Sequence, residues 1–411
     1  MPPMTREIAF LLLIFGLMVI PRALQRFRLP APLTSFGLGM VATIFLGSFQ
    51  RDETLALLAT LGISSLFLFA GLEIDLDDLR RGKWPLLGHL FVRSLTLAAV
   101  AYGAMYFFGF GWQVGALLAL ALLTPSTGFI LDTLSGLGLK EEERYWVTIK
   151  AVGGEVLALV VLFVVLQSGS VSTLALSSAA LLATIVGLPL LFMLLGRLVV
   201  PYAPGSEFSL LVMVGLIAAY LTYQIGVYYL VGAFLTGLTA RLLYRRLPAL
   251  ASDENLHAIQ MFASFFVPFY FFHSGLHVPT GALTWQALQL GLLLTAVTLP
   301  MRLGVLWSQR RFSVGESPMG SLRVATALMP TLIFTLVLAT ILRERFQIPD
   351  ALYGALLVYA AISTLVPSLV LAKAINFDAF VGPLPPVDST RPALEPAGAQ
   401  GASPRRGDET A

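Results

Sequence analysis

Apolar residues gather along this chain into long blocks, separated by short segments that hold most of the charge and many of the prolines. Neither the alternation of a half-buried strand nor the narrow apolar stripe of a surface helix dominates. A helix that spans a bilayer needs about 20 mostly apolar residues. Runs of that kind occupy thirteen segments: 7–24, 32–49, 54–73, 85–108, 113–136, 144–167, 172–199, 207–224, 226–244, 257–275, 284–307, 320–342 and 351–373. Only a turn near Gly226 parts the eighth from the ninth. The pattern predicts an all-α membrane protein of about 13 transmembrane helices.

Two of these runs are interrupted. Thr124-Pro125-Ser126-Thr127-Gly128 breaks the fifth, and Met329-Pro330-Thr331 breaks the twelfth. Proline removes a helical donor and frees a carbonyl. Either break alone reads as a kinked helix, which membrane proteins tolerate. Together they lie near mid-span in helices of opposite direction, the pattern of inverted repeats with two crossed discontinuous helices at a substrate site. The breaks offer carbonyls and hydroxyls to a dehydrated cation, and their half-helix dipoles call for compensating charge.

Composition supports a lipid setting: 57% of the 411 residues are hydrophobic and 12% charged, against roughly 25% charged in a soluble domain. The 26 Lys and Arg divide unevenly. With the N-terminus outside, nineteen fall in inner loops or the tail, four outside, and Arg93, Lys150 and Arg302 inside spans. By the positive-inside rule this places the N-terminus outside and the C-terminus in the cytoplasm. Arg6 before an apolar run imitates a signal peptide, but Pro21-Arg22 follows without a small-residue cleavage site, so a retained helix is expected. Residues 382–411 hold six prolines and are expected to be disordered. The chain has no Cys, which excludes disulfides and thiolate metal sites. The four His are scattered, and no basic patch suggests nucleic acid.

Ionisable residues inside a span cost about 2.5–3.5 kcal/mol each on insertion scales, so each is a functional candidate. Glu155, after Gly153-Gly154 in the sixth segment, is the foremost. The alternative is a Glu that only ties helices together. Lys150 lies nearer the inner end, where snorkelling to the headgroups and hydration are expected. Arg302, just after Pro300, has the same option, or turns inward to pair with Glu155. Arg93 reads as structural. Thr124, Ser126, Thr127 and Thr331 are candidate oxygen ligands. Arg302 and Lys150 are candidates for charge compensation, and Pro125 and Pro330 make the breaks.

Four motifs in order give a resemblance: LFLFAGLEID over 66–75, LTPSTG over 123–128, VGAFLTG over 231–237 and FFVPFYFFHSGL over 265–276. The chain resembles the monovalent cation/proton antiporter superfamily, nearest the branch with bacterial Na+/H+ antiporters and glutathione-gated potassium efflux proteins. The resemblance covers most of residues 7–375. It implies a secondary transporter of the bacterial inner membrane, not an enzyme, that exchanges Na+ or K+ for protons by alternating access. It also implies a homodimer with no cofactor, and an elevator-like core. The expected division within residues 1–381 is a dimerisation unit (7–73 and 207–275), a core (85–167 and 284–373) and a linker helix (172–199). Three departures stand out. Gly154-Glu155 occupies the place where the family carries Asn-Asp, Asp-Asp or Gln-Asp, Arg302 stands where many relatives have Lys, and the twelfth helix lacks a Gly-Glu pair. A sodium-coupled organic-anion symporter and a non-transporting membrane sensor remain as alternatives.

Overall fold

The computed structural model describes residues 6–371, apart from Leu46, Asp75, Pro204 and Val227. The predicted tail, the last two residues of the thirteenth segment and Asp75 of the first motif lie outside the described residues. Sixteen α-helices are present among those described, with no strand: α1 (Arg6–Gln25), α2 (Ala31–Phe45), α3 (Glu53–Leu72), α4 (Leu76–Arg81), α5 (Lys83–Phe108), α6 (Trp112–Leu123), α7 (Thr127–Thr133), α8 (Glu141–Gln167), α9 (Val171–Leu198), α10 (Glu207–Gln224), α11 (Tyr229–Leu242), α12 (Asp253–Leu276), α13 (Trp285–Gln309), α14 (Pro318–Ala327), α15 (Leu332–Phe346) and α16 (Asp350–Val370).

A helix or a broken helix pair fills each of the thirteen predicted segments. Among the described residues, nine spans are long and apolar enough to cross a bilayer, or ten if the pair α14–α15, bent by 45°, counts as one. The helices α2 and α11 are short, at 15 and 14 residues, and α12 opens on the polar run Asp253-Glu254-Asn255. The six-residue α4, with Asp77, Asp78, Arg80 and Arg81, was not predicted; its charges broke the apolar pattern that marks a span.

Local chemistry sets the helix ends. The Asp52 carboxylate accepts from Leu55 N at 3.0 Å and starts α3. Glu143 accepts from Lys140 N at 2.8 Å and closes the first turn of α8, where Glu141 and Glu142 also meet the positive end of the helix. Ser252, Thr284 and Ser317 cap α12, α13 and α14 in the same way.

Outward-facing side chains are apolar. On α5 the exposed residues Trp84, Leu87, Phe91, Leu95, Tyr102 and Tyr106 recur at helical spacing. A continuous apolar stripe of this length suits lipid, since water would make it an aggregation site. The molecule is an integral membrane protein.

Inside, α3 is held between α11 and α12, with α2 against α12 and α10 against α11. A second set of helices comprises α5, α6, α8, α13, α14, α15 and α16. The two sets meet chiefly where α3 passes α7, and through α9, which touches both α8 and α11. Glycine permits the closest approach within the first set. A Cβ on Gly71 would lie 2.3 Å from Phe234 O, and one on Gly237 would lie 2.1 Å from Leu68 O. Real side chains cannot occupy such positions, so α3 and α11 touch backbone to backbone.

Gly237→Ala must push these helices apart and is expected to cost about 1–3 kcal/mol. The thermal midpoint of the detergent-purified protein should fall by several degrees. Gly187→Ala, in open space, is the control. Equal midpoints for the two variants would rule out the close seam.

Candidate functional site

The two predicted breaks lie side by side at the centre of the second helix set. The chain leaves helical geometry at Thr124–Ser126 and again at Leu328–Thr331. Ser126 N donates to Pro330 O at 2.8 Å, and the Ser126 hydroxyl accepts from Ile333 N at 3.0 Å. Thr335 Oγ1 donates to Ala121 O at 2.7 Å. Moving forward from 121 to 126 thus meets partners running backward from 335 to 330, so the two broken spans cross in opposite senses.

A helix that ends in mid-membrane leaves carbonyls without partners, and lipid cannot satisfy them. Here protein donors meet carbonyls at and just past both helix ends. At the end of α6, Ala121 O takes Thr335, Leu122 O takes the Tyr359 hydroxyl, and Leu123 O takes Arg93 Nη2 at 2.9 Å. At the end of α14, Leu328 O and Met329 O both take Arg302, each at 3.0 Å, and Pro330 O takes Ser126 N. Arg302 Nη1 also donates to Tyr359 Oη at 2.8 Å. These carbonyls, expected to be open to a cation, are therefore already engaged.

Arg302 is 4% exposed and does not snorkel. No ion pair joins it to Glu155 among the described residues; its charge meets the negative end of the α14 half-helix instead. Arg93 does the same for α6. Each Arg stands on the helix just before a broken span, so the two repeat one arrangement in inverted form.

Glu155 is 2% exposed, and its Oε2 atom has no hydrogen-bond partner. It faces a pocket too narrow to admit water. Ser126, Thr127 and Gly128 from the first break line this pocket with Leu66 and Phe67 of α3 and Phe334 of α15. Thr127 is the polar residue beside the carboxylate. The Thr124 hydroxyl is buried and unpartnered, and it does not line the pocket. Thr331 is not in this group: its hydroxyl lies 3.0 Å from Ser363 Oγ and does not line the pocket. The structure thus brings Glu155, Ser126 and Thr127 together and leaves Thr331 apart.

Lys150 corrects the expectation of snorkelling and hydration. It is 2% exposed, and its Nζ donates to Gln309 Oε1 at 3.3 Å. The same oxygen lies 2.8 Å from His89 Nδ1. Packing of α5, α8 and α13 closes over the ammonium before its stem can reach the surface. Nearby, the buried Arg310 pairs with Glu316 and stacks over Trp146. Lys150 therefore belongs to a polar cluster, not to the Glu155 pocket.

A cavity of about 760 Å3 adjoins the site. Glu73, Asp78, Arg81 and Arg144 line it with Leu131 and Val152. Val152 precedes Glu155 by less than one turn of α8, and Leu131 follows Gly128 by less than one turn of α7. The cavity thus ends about a turn from the carboxylate. Phe67 and Phe334, which both line the Glu155 pocket, meet edge to face with ring centroids 5.8 Å apart.

Sequence reading missed Tyr359, Thr335 and the role of Arg93. A Thr hydroxyl on an apolar helix commonly bonds its own preceding turn, and a Tyr or Arg in a span can also turn to the headgroups, so nothing in the one-dimensional pattern marks these as cross-helix donors.

A family model described as sodium/hydrogen exchanger, transmembrane, matches residues 9–375. The chain is 27% identical over 288 residues to a protein named probable Na(+)/H(+) antiporter 3 from Methanocaldococcus jannaschii, covering 65% of this chain and 70% of that one. Its fold is similar to that of the sodium proton antiporter MjNhaP1 from Methanocaldococcus jannaschii at pH 8. The TM-score is 0.63 at 14% identity, over 88% of this chain and 94% of that one.

Proposed function

The chain belongs to the sodium/hydrogen exchanger family, and from that premise we propose that it exchanges a monovalent cation, Na+ or K+, for protons, with Glu155 as the carboxylate both compete for. The observation that carries this reading is a buried carboxylate with an unpartnered oxygen, facing a pocket that Ser126 and Thr127 of the first break line. A carboxylate held only for structure would be expected to have its lone pairs filled, because an unpaired buried charge is costly. A proton or a cation supplies the missing partner, and one oxygen pair does not hold both at once.

Access alternates in this scheme. The 760 Å3 cavity supplies the inner route, and the Phe67–Phe334 contact closes the outer one. Movement of α7, α8 and the crossing past α3 exchanges the two. No covalent step or cofactor enters. The first helix set serves as the dimerisation unit of a homodimer, and the second as the transport core.

Cation-dependent proton flux in proteoliposomes tests the assignment. An antiporter shows flux with Na+ or K+ alone. A symporter requires an organic anion as well, and a sensor shows no flux; either result would reject the proposal.

The proposed orientation puts the N-terminus outside and the C-terminus inside the bacterial inner membrane. Because the chain has no Cys, single thiols report cleanly. Ser170 and Ser135 are both exposed, before α9 and after α7. An impermeant maleimide on intact cells should label Ser170→Cys and spare Ser135→Cys. The reverse pattern would invert the topology.

A further inference from the structure

Gly154 lies beside Glu155 without a side chain, and Arg93 accounts for the space. A Cβ built on Gly154 would lie 3.1 Å from Arg93 Cζ and 3.3 Å from both Nε and Nη1. The guanidinium is therefore packed flat against the α8 backbone at the residue before Glu155. Its Nη2 reaches Leu123 O, the last residue of α6, while its Nε is buried with no partner. The contrast with Arg302 is informative. Arg302 makes three hydrogen bonds, to Leu328 O, Met329 O and Tyr359 Oη, and is fully engaged at its own break. Arg93 makes a single hydrogen bond at its break and turns its face to the helix that carries Glu155.

We propose that Arg93 is a positioning residue of the Glu155 site: its guanidinium, occupying the place of a side chain at 154, locks α8 to the end of α6 and supplies a fixed positive charge that weakens the hold of Glu155 on its cation. This rests on the reading of Glu155 as the transported ion's carboxylate. The surroundings leave Arg93 as the candidate for that charge. Around the Glu155 pocket, α3 presents Leu66, Phe67 and Ala70, α15 presents Ile333 and Phe334, and α7 presents Thr127, none of which carries charge. Arg93 itself is faced by Arg302 of α13, Tyr359 of α16 and His89 on its own helix. Buried charges are poorly screened, and the guanidinium lies against the residue next to Glu155.

Two sets of variants test this in proteoliposomes. Arg93→Gln keeps an amide donor for Leu123 O and removes the charge. At alkaline pH, where Glu155 is ionised, the apparent cation KM is expected to fall roughly tenfold, and the pH profile of exchange to move to higher pH, because an anion at 155 loses a stabilising neighbour. Arg93→Lys, which keeps the charge, should return both towards wild type. The second set tests the shared space. Gly154→Asn displaces the guanidinium and should lower exchange by at least roughly tenfold, and Arg93→Ala in the same chain should recover part of it. A wild-type KM and pH profile in Arg93→Gln would overturn the charge role. Wild-type exchange in Gly154→Asn, or no recovery in the double variant, would overturn the shared space even if Arg93→Gln fails to fold. Glu155→Gln measured alongside separates the two readings: if it exchanges normally, the site assignment falls; if it is inactive while Arg93→Gln behaves as wild type, only the role of Arg93 falls.

Discussion

Glu155→Gln is expected to abolish exchange while leaving the protein folded. The amide keeps the shape of the carboxylate in its pocket but neither ionises nor releases a proton. The variant should purify as wild type, with a similar thermal midpoint, because the one oxygen that matters, Oε2, makes no hydrogen bond to lose. Glu155→Asp should retain part of the activity, its carboxylate withdrawn by one methylene. Competition adds a pH signature with a definite sign. Where Glu155 is mostly protonated, each unit fall in pH should raise the apparent cation KM about tenfold, since two ligands of one site oppose each other reciprocally. Counterflow in proteoliposomes at several pH values measures both. Exchange by the Gln variant at near wild-type rate, or a KM unmoved by pH, would remove Glu155 from the role.

The second large effect concerns stability. Arg302→Ala strands Leu328 O and Met329 O inside the membrane and leaves Tyr359 without its donor. Buried acceptors left unsatisfied cost about 1–3 kcal/mol each, so a loss of about 3–4 kcal/mol is expected. The signs would be aggregation in detergent and a much lower thermal midpoint. Arg302→Lys should fall between, because a point-like ammonium cannot span acceptors that a planar guanidinium reaches together. Arg93→Ala, which removes a single hydrogen bond, should cost less than Arg302→Ala. A midpoint for Arg302→Ala equal to wild type would show that the α14 terminus does not depend on this residue.

The helices were legible because an apolar run of spanning length has few alternatives in lipid. The breaks were legible because Pro125 and Pro330 cannot continue a helix. Glu155 stands out in the sequence because an acid in an apolar span needs a reason to be there, and the structure adds that it is buried. What one dimension does not reveal is which partner a buried cation finds. Arg302 was weighed against Glu155 as a mate, and its acceptors are the carbonyls at 328 and 329, which a list of side chains does not display. Lys150 was placed by depth along its helix. Whether neighbouring helices close over a side chain is a property of their packing, and here α5 and α13 do so through His89 and Gln309. The empty place at 154 reads as a missing group until Arg93, 61 positions earlier in the chain, is seen filling it.

The seam between α3 and α7 has a mechanical consequence. On one side α3 is pinned, its backbone pressed against α11 at Gly71 and Gly237, which in the proposed scheme would make it the stator. On the other side it offers Leu66, Phe67 and Ala70 to the ion pocket, and no hydrogen bond crosses from α3 to α7 among the described residues. Dispersion contacts are each worth only ~0.1–0.2 kcal/mol and re-form at any neighbouring register. If the crossing moves past α3 as proposed, a surface of that kind would work as a greased bearing, with no polar latch to unlock first. A hydroxyl or amide at 66 or 70 would add a detent to the track. Its signature would be a transport rate slowed at every cation concentration, with the apparent affinity unchanged.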